Sequence, residues 1–201
     1  MKKNNFVVRS IKSQRKLYFI LIGLALLTFI FGIVFIFLLD SDNLLYIKDN
    51  IINYYNNYNP SLSSFFKSLF NNYIYLVIIF ILGISIIGIP FVILMFLFKS
   101  FLFGFSFSSL LYSFGFKGLL ISLISLIFNK LLYLIILLLM SFYSISFSIK
   151  LFKYLFLKKS INFMESMNKY LKVLLISLIV SLIISIFDGF ISSYLLKFFN
   201  I

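Results

Sequence analysis

The chain of 201 residues contains no cysteine, no histidine and no tryptophan, only two prolines, and five acidic residues against 18 lysines and arginines. Without cysteine there is no disulfide framework, no thiolate nucleophile and no thiolate-ligated metal or cluster. Without histidine the commonest general base and metal ligand is missing, and with it any His-based zinc site or Ser–His couple. The carboxylates are Asp40, Asp42, Asp49, Glu165 and Asp188. No two of them share an apolar run, so a carboxylate pair for acid–base work needs distant segments to meet. Catalysis by this chain alone is not expected, and no cofactor or metal site is indicated.

What is present is apolar. Hydrophobic residues make up 63% of the chain and aromatic residues 21%, whereas a soluble domain is about 45–50% apolar. The composition is that of an integral membrane protein. A net charge of +13 on a soluble protein would suggest neutralised nucleic-acid phosphates. Here the charges flank apolar runs and read as a topology signal, so no nucleic-acid partner is expected. The fold class that follows is all-α: a polytopic membrane helical bundle of about five transmembrane helices in one domain, N-terminus in and C-terminus out. The abundance of Ile, Phe, Leu, Lys, Asn and Tyr also fits a compositional bias, which lowers the information in any aromatic stripe.

Residues 1–16 carry Lys2, Lys3, Arg9, Lys12, Arg15 and Lys16 without an acidic partner and are expected in the cytoplasm. Residues 17–39 form a first crossing, longer than a signal-peptide core and without a small-residue cleavage pattern. The segment 40–72 is then extracytoplasmic. Within it Leu44, Ile47 and Ile51 recur at helical spacing, and Phe65, Phe66 and Leu69 do so again after Asn59-Pro60-Ser61. These six residues form the candidate partner surface.

The run 73–98 reads as a second crossing bent at Pro90, which lacks an N–H and crowds the Ile86 carbonyl. Gly83 and Gly88 reduce backbone bulk there, and the neighbouring helices are expected to dock around this kink. Lys99 marks its cytoplasmic end. The basic segment 150–172 is also cytoplasmic. Two crossings must therefore lie between them, 100–114 and 131–149, with 115–130 as an outer turn or re-entrant piece. Gly104 in the third crossing, and Ser141, Ser144 and Ser148 on one face of the fourth, are packing positions. The fifth crossing, 173–195, carries Asp188 about 24 Å above Lys172 by helical rise. A carboxylate at that height is expected to pair with Lys117 or Lys130, or to cap a neighbouring helix.

An ordered series of segments resembles the stage II sporulation protein M family. It comprises Ile81-Leu82-Gly83-Ile84-Ser85-Ile86-Ile87-Gly88-Ile89-Pro90, Phe98-Lys99 with Gly104-Phe105, and Phe114-Gly115 through Ser122. It continues with Ser144-Ile145-Ser146-Phe147-Ser148-Ile149-Lys150 and Phe187-Asp188-Gly189-Phe190. The family commonly has a proline where this chain has Phe128-Asn129-Lys130, and Glu where it has Asp188. The resemblance implies a non-catalytic scaffold in a complex that degrades septal peptidoglycan during forespore engulfment. Its partners would be membrane lipid and two extracytoplasmic wall hydrolases, stage II sporulation proteins D and P. Its location would be the multi-pass cell membrane at the sporulation septum and the engulfing membrane of the mother cell. The alternative is the membrane subunit of an ABC-type exporter or related permease, since a Pro-broken helix can line a pathway. An intramembrane protease lacks its nucleophile–base pair or metal set. Small-residue faces permit a homo-oligomer but are also needed inside one copy.

Overall fold

Some helix ends are set by local caps and others by hydrogen bonds from neighbouring helices. The computed structural model describes residues 15–56, 61–158 and 162–191, all helices and short connections, with no strand among them. Helix α1 (Arg15–Phe35) tightens into a 3-10 turn at Ile36–Leu38. It is followed by α2 (Ser41–Asn56), α3 (Leu62–Gly83), α4 (Gly88–Phe114) and α5 (Phe116–Ser125). A π-helical turn at Leu126–Leu131 leads into α6 (Leu132–Leu157). Helix α7 (Phe163–Ile186) ends in a second π turn, Phe187–Ile191. Ser61 caps α3 by accepting from Ser64 N at 3.1 Å, and Asn162 caps α7 by accepting from Glu165 N at 3.2 Å. Each satisfies one of the donors a helix start leaves without a partner.

Among the described residues five helices are long and apolar enough to cross a membrane: Arg15–Leu38, Leu62–Gly83, Gly88–Phe114, Asn129–Phe156 and Phe163–Phe190. The expected class and approximate number of crossings hold, but the chain is divided differently. The run read as one bent helix over 73–98 is two helices. Helix α3 stops at Gly83, and Pro90 is the third residue of α4. In a first helical turn the missing proline N–H costs nothing, because that donor has no intrahelical partner anyway. The expected crossing at 100–114 is the second half of α4. Lys99, expected at a membrane surface, lies in the middle of that span. The last crossing starts at Phe163 rather than 173, so most of the basic segment 150–172 is helical. The N-terminal residues 1–14 and the end of the expected fifth crossing, from 192 onward, lie outside the described residues.

The turn between α3 and α4 explains several packing residues. A helix that ends inside protein leaves its last carbonyls without intrahelical donors. Here Ile84 N closes on Ile81 O and Ser85 N on Leu82 O, both at 3.1 Å. The remaining carbonyls are met by other helices. Tyr170 on α7 donates to Ile79 O and Phe80 O at 3.2 and 3.0 Å, and Ser144 on α6 donates to Ile79 O at 3.0 Å. Ser148 reaches Gly83 O at 2.7 Å and Ser85 O at 3.0 Å. A Cβ on Gly83 would collide with the Tyr170 and Ser144 hydroxyls, so the small residue makes room for the caps. Ser141, on the same α6 face, is fully buried, and its hydroxyl has no hydrogen-bond partner among the described residues.

Ser148→Ala is therefore expected to cost about 1–3 kcal/mol, the range for leaving a buried acceptor unmet, because Gly83 O loses its donor while Ser85 O still accepts from Gly88 N. Ser141→Ala should be neutral or slightly stabilising. Denaturant unfolding of the two purified variants checks the contrast, and equal losses would refute it.

The same contacts fix the helix directions. Asn72 meets Ser185 and Ile79 meets Tyr170, so α3 and α7 are antiparallel. Ile79 meets Ser144 and Gly83 meets Ser148, so α3 and α6 are parallel. Ala25 accepts from Ser100 at 2.7 Å, and Gly104 lies against the Phe29 carbonyl, so α1 and α4 are also parallel. A Cβ on Gly32 would meet the Phe101 and Phe105 backbones, and one on Gly104 the Phe29 and Ile33 backbones. Small residues thus let α1 and α4 approach at backbone distance.

The bundle is organised around α6 rather than around Pro90. Of the five spans Asn129–Phe156 is the most enclosed, and every residue from Met140 to Ser148 is buried. The segment 115–130, expected as an outer turn or re-entrant piece, is Gly115 followed by α5 and most of the first π turn. Gly115, at φ +56°, makes a reversal that a side chain would strain, and α5 folds back beside α4 with Gly118 against the Leu110 carbonyl.

Candidate functional site

A polar network joins α3, α6, α7 and the two π turns near one end of the bundle. Asp188, in the second π turn, accepts from Ser68 Oγ at 3.1 Å and from Asn129 Nδ2 at 2.5 Å. Asn129 is in the first π turn and is buried. One turn further into the bundle, Asn72 Nδ2 donates to Ser185 Oγ at 3.1 Å, and Ser185 donates to Ser181 O at 2.9 Å. Tyr133 donates to Asn72 O at 2.9 Å. Deeper still, the Lys99 ammonium lies 3.7 Å from the Tyr75 ring centroid and 5.9 Å from that of Tyr133. Aromatic faces offer a cation an attraction that grows as water is removed.

The two π turns are what bring the network together. A π turn carries one extra residue, which rotates the following side chains relative to a regular helix and often occurs at functional positions. Asn129 and Asp188 each lie in one. Gly189 completes the junction, because a Cβ there would fall 2.8 Å from Phe65 Cα and Cβ. The α3 segment bearing Phe65 and Ser68 is thereby held against the end of α7.

Of the two lysines considered as partners of Asp188, Lys130 adjoins Asn129 and lies close enough to act on the carboxylate electrostatically. Lys117 is exposed on α5. The hydrogen bonds to Asp188 given above come from Ser68 and Asn129.

The six residues of the candidate partner surface separate into different environments. Leu44, Ile47 and Ile51 are half-buried on α2, which lies against α4. Leu45, Tyr46 and Tyr54 form the more exposed side of that helix. On α3, Phe65 packs at 6.1 Å from Phe190 and Leu69 is half-buried, whereas Phe66 is exposed along with Leu62 and Phe70.

Sequence reasoning missed Ser68, Asn72, Asn129, Tyr133, Ser185 and the membrane depth of Lys99. One signal was present. A crossing confined to 100–114 would rise only about 22 Å, short of a hydrocarbon core of roughly 30 Å. Placing the helix boundary at the glycines instead gives Lys99 an apolar stretch on both sides and two spans of full length. No comparable signal identifies the π turns. Among the described residues no group of three or more His, Cys, Asp or Glu is arranged to hold a metal.

Neither a curated protein nor a solved structure matches the chain. The model of one family, described as stage II sporulation protein M (SpoIIM), matches residues 21–193. That span takes in all five crossings except the first residues of α1, along with α2, α5 and every residue of the polar network, and the chain belongs to the stage II sporulation protein M family.

Proposed function

We propose that this sporulation-related, multi-pass membrane protein is a non-catalytic scaffold of the complex that thins septal peptidoglycan during engulfment. The observation that carries the reading is the junction at Asp188 and Gly189. It clamps the inner side of α3 through Ser68 and Phe65 while leaving Leu62 and Phe66 exposed on the same helix. An apolar side at the outer end of a span, beside the extracytoplasmic helix α2, is a surface that a membrane-anchored partner can take over from lipid. The basic residues Arg15, Lys16, Lys150, Lys153, Lys158 and Lys172 lie toward the opposite end. By the positive-inside rule that end faces the cytoplasm. Helix α2 and the start of α3 then face the compartment where wall hydrolases act. The partners on this reading are stage II sporulation proteins D and P, and the site of action is the septum and the engulfing membrane.

A second reading, a permease subunit of an ABC-type exporter, is favoured by one observation. Lys99 and Asp188 are ionisable groups within spans, which often mark transport pathways. Against it, an apolar groove between α1 and α4, lined by Thr28, Pro90, Ile93, Leu94, Leu97 and Phe101 among others, contains neither group.

Co-purification of the tagged full chain from sporulating cells in mild detergent separates the readings. The scaffold reading expects both hydrolases, with recovery lowered at least about fivefold by Leu45→Glu combined with Phe66→Glu, as for loss of interface anchors. Recovery of a cytoplasmic nucleotide-hydrolysing subunit in place of the hydrolases would support the permease.

A further inference from the structure

The basic end of the bundle has a feature that the scaffold does not use. Helices α6 and α7 form a narrow notch, with room inside for about one water, lined by Phe147, Lys150, Leu151, Tyr154, Phe163 and Ser166. Lys150 is half-buried there, within electrostatic reach of Lys169 and Glu165 on the facing helix, and makes no hydrogen bond or ion pair of its own among the described residues. On the facing helix, Lys169 is already paired with Glu165.

The depth of the notch follows from its neighbours. Lys150 is two residues past Ser148, whose hydroxyl bonds the Gly83 and Ser85 carbonyls of the α3–α4 turn. Lys150 is therefore within about 3 Å, along the axis, of the level where two other spans end. From Asn129 to Lys150 the helix rises about 31 Å, close to the hydrocarbon thickness of a bilayer. Helix α6 then runs on to Leu157 and α7 enters at Phe163, so a helical hairpin extends about 10 Å beyond that level. Its surface combines cations with apolar groups. Leu155, Phe156 and Met164 are 61, 66 and 67% exposed, and Lys153 and Lys158 are exposed beside them.

We propose that the mouth of this notch binds the phosphodiester of an anionic phospholipid, which rests on the rim with the Lys150 ammonium as counter-ion and the Ser166 hydroxyl as donor. The acyl chains lie along the apolar surface of α6 and α7 below the notch. Three features select this ligand. The height matches the headgroup layer, and the apolar flanks favour a lipid over a phosphate ion free in water. The surplus of Lys150, Lys153, Lys158 and Lys172 over the Lys169–Glu165 pair favours a net negative headgroup and repels a zwitterion's cationic end. The inference stands apart from the scaffold reading, since it concerns the opposite end of the molecule.

The test is native mass spectrometry of the full chain in mild detergent, given equal amounts of phosphatidylglycerol and phosphatidylcholine with identical chains. The wild type is expected to retain phosphatidylglycerol with about a fivefold preference, the scale of one lysine near an anionic surface. Lys150→Gln should abolish the preference, while Lys153→Gln, with the same change in charge on an exposed residue, should keep it. Equal retention of both lipids by the wild type overturns the proposal. Equal losses in the two lysine variants also overturn it, because they show diffuse attraction without a site. Ser166→Leu fills the notch without altering charge. Loss of preference in that variant, run as a folded monomer, supports the site even if Lys150→Gln does not fold, and an intact preference refutes it. Displacement of the lipid by water-soluble glycerophosphoglycerol at equal concentration would overturn the assignment to a membrane lipid.

Discussion

Gly88→Leu is expected to remove nearly all folded, monodisperse protein from a detergent extract, whereas Gly23→Leu leaves the yield unchanged. The difference lies in what a side chain meets. A Cβ at position 88 would fall on the Leu82 carbonyl oxygen, with Leu82 C and Cα at 2.6 and 3.0 Å. These are backbone atoms at the end of α3, and they cannot withdraw without opening the turn. Leu82 O accepts from Ser85 N, while the neighbouring Gly83 and Ser85 carbonyls accept from Ser148. Displacement therefore strips donors from the turn's carbonyls, including that of the buried Gly83, where the packed ends of α6 and α7 keep water out. Overpacking of about 1–3 kcal/mol adds to about 1 kcal/mol for each hydrogen bond lost. Gly23 has nothing within 4 Å and is exposed on α1, so a leucine there points away from protein. Size-exclusion profiles and thermal unfolding of the two variants check this, and equal yields would show that the α3–α4 turn tolerates rearrangement.

Asp188→Leu is expected to release the start of α3 from α7 and to cost about 3 kcal/mol, as the buried Asn129 amide and the half-buried Ser68 hydroxyl lose their acceptor. Ser68 Oγ and Asn129 Nδ2 both point at this carboxylate, and Lys130 loses its nearby counter-charge. Asp188→Asn should lose much less, because its amide oxygen can still accept from Asn129 and its NH₂ can donate to the Ser68 hydroxyl. The absence of native cysteine gives a direct readout. A single cysteine at Leu69, half-buried in the parent, should react with a maleimide several-fold faster in the leucine variant and near the parent rate in the asparagine variant. No change in either would mean that the Gly189–Phe65 contact alone holds the helix.

The sequence carried the class of the protein because that depends on sums over many residues. Apolar runs longer than a bilayer is thick and a scarcity of charge made membrane helices unavoidable, and the distribution of lysines divided the chain into segments. Local chemistry also showed that something interrupts the backbone at Gly83 to Pro90. It did not show which interruption. A proline is compatible with a bend inside a helix and with the first turn of a new one. The choice was made by Ser144, Ser148 and Tyr170, which supply donors to the carbonyls of a helix that ends there. Those residues are 60 or more positions away in the chain.

The same reason accounts for the polar network. Asp188 was legible as a carboxylate too deep to be left alone. Its hydrogen-bond donors were not, since Ser68 and Asn129 become neighbours only after two π turns have rotated Asn129 and Asp188 toward α3. Lys99 looked like the end of a helix as long as that helix was thought to begin at Tyr73. Once α4 begins at Gly88, the same lysine lies mid-span, over the Tyr75 ring. Composition and periodicity thus determined that this chain lives in a membrane as a bundle of helices. Where α3 ends, and which polar groups face one another, was decided by long-range hydrogen bonds, because in a dry interior every carbonyl and charge must find its partner within the protein.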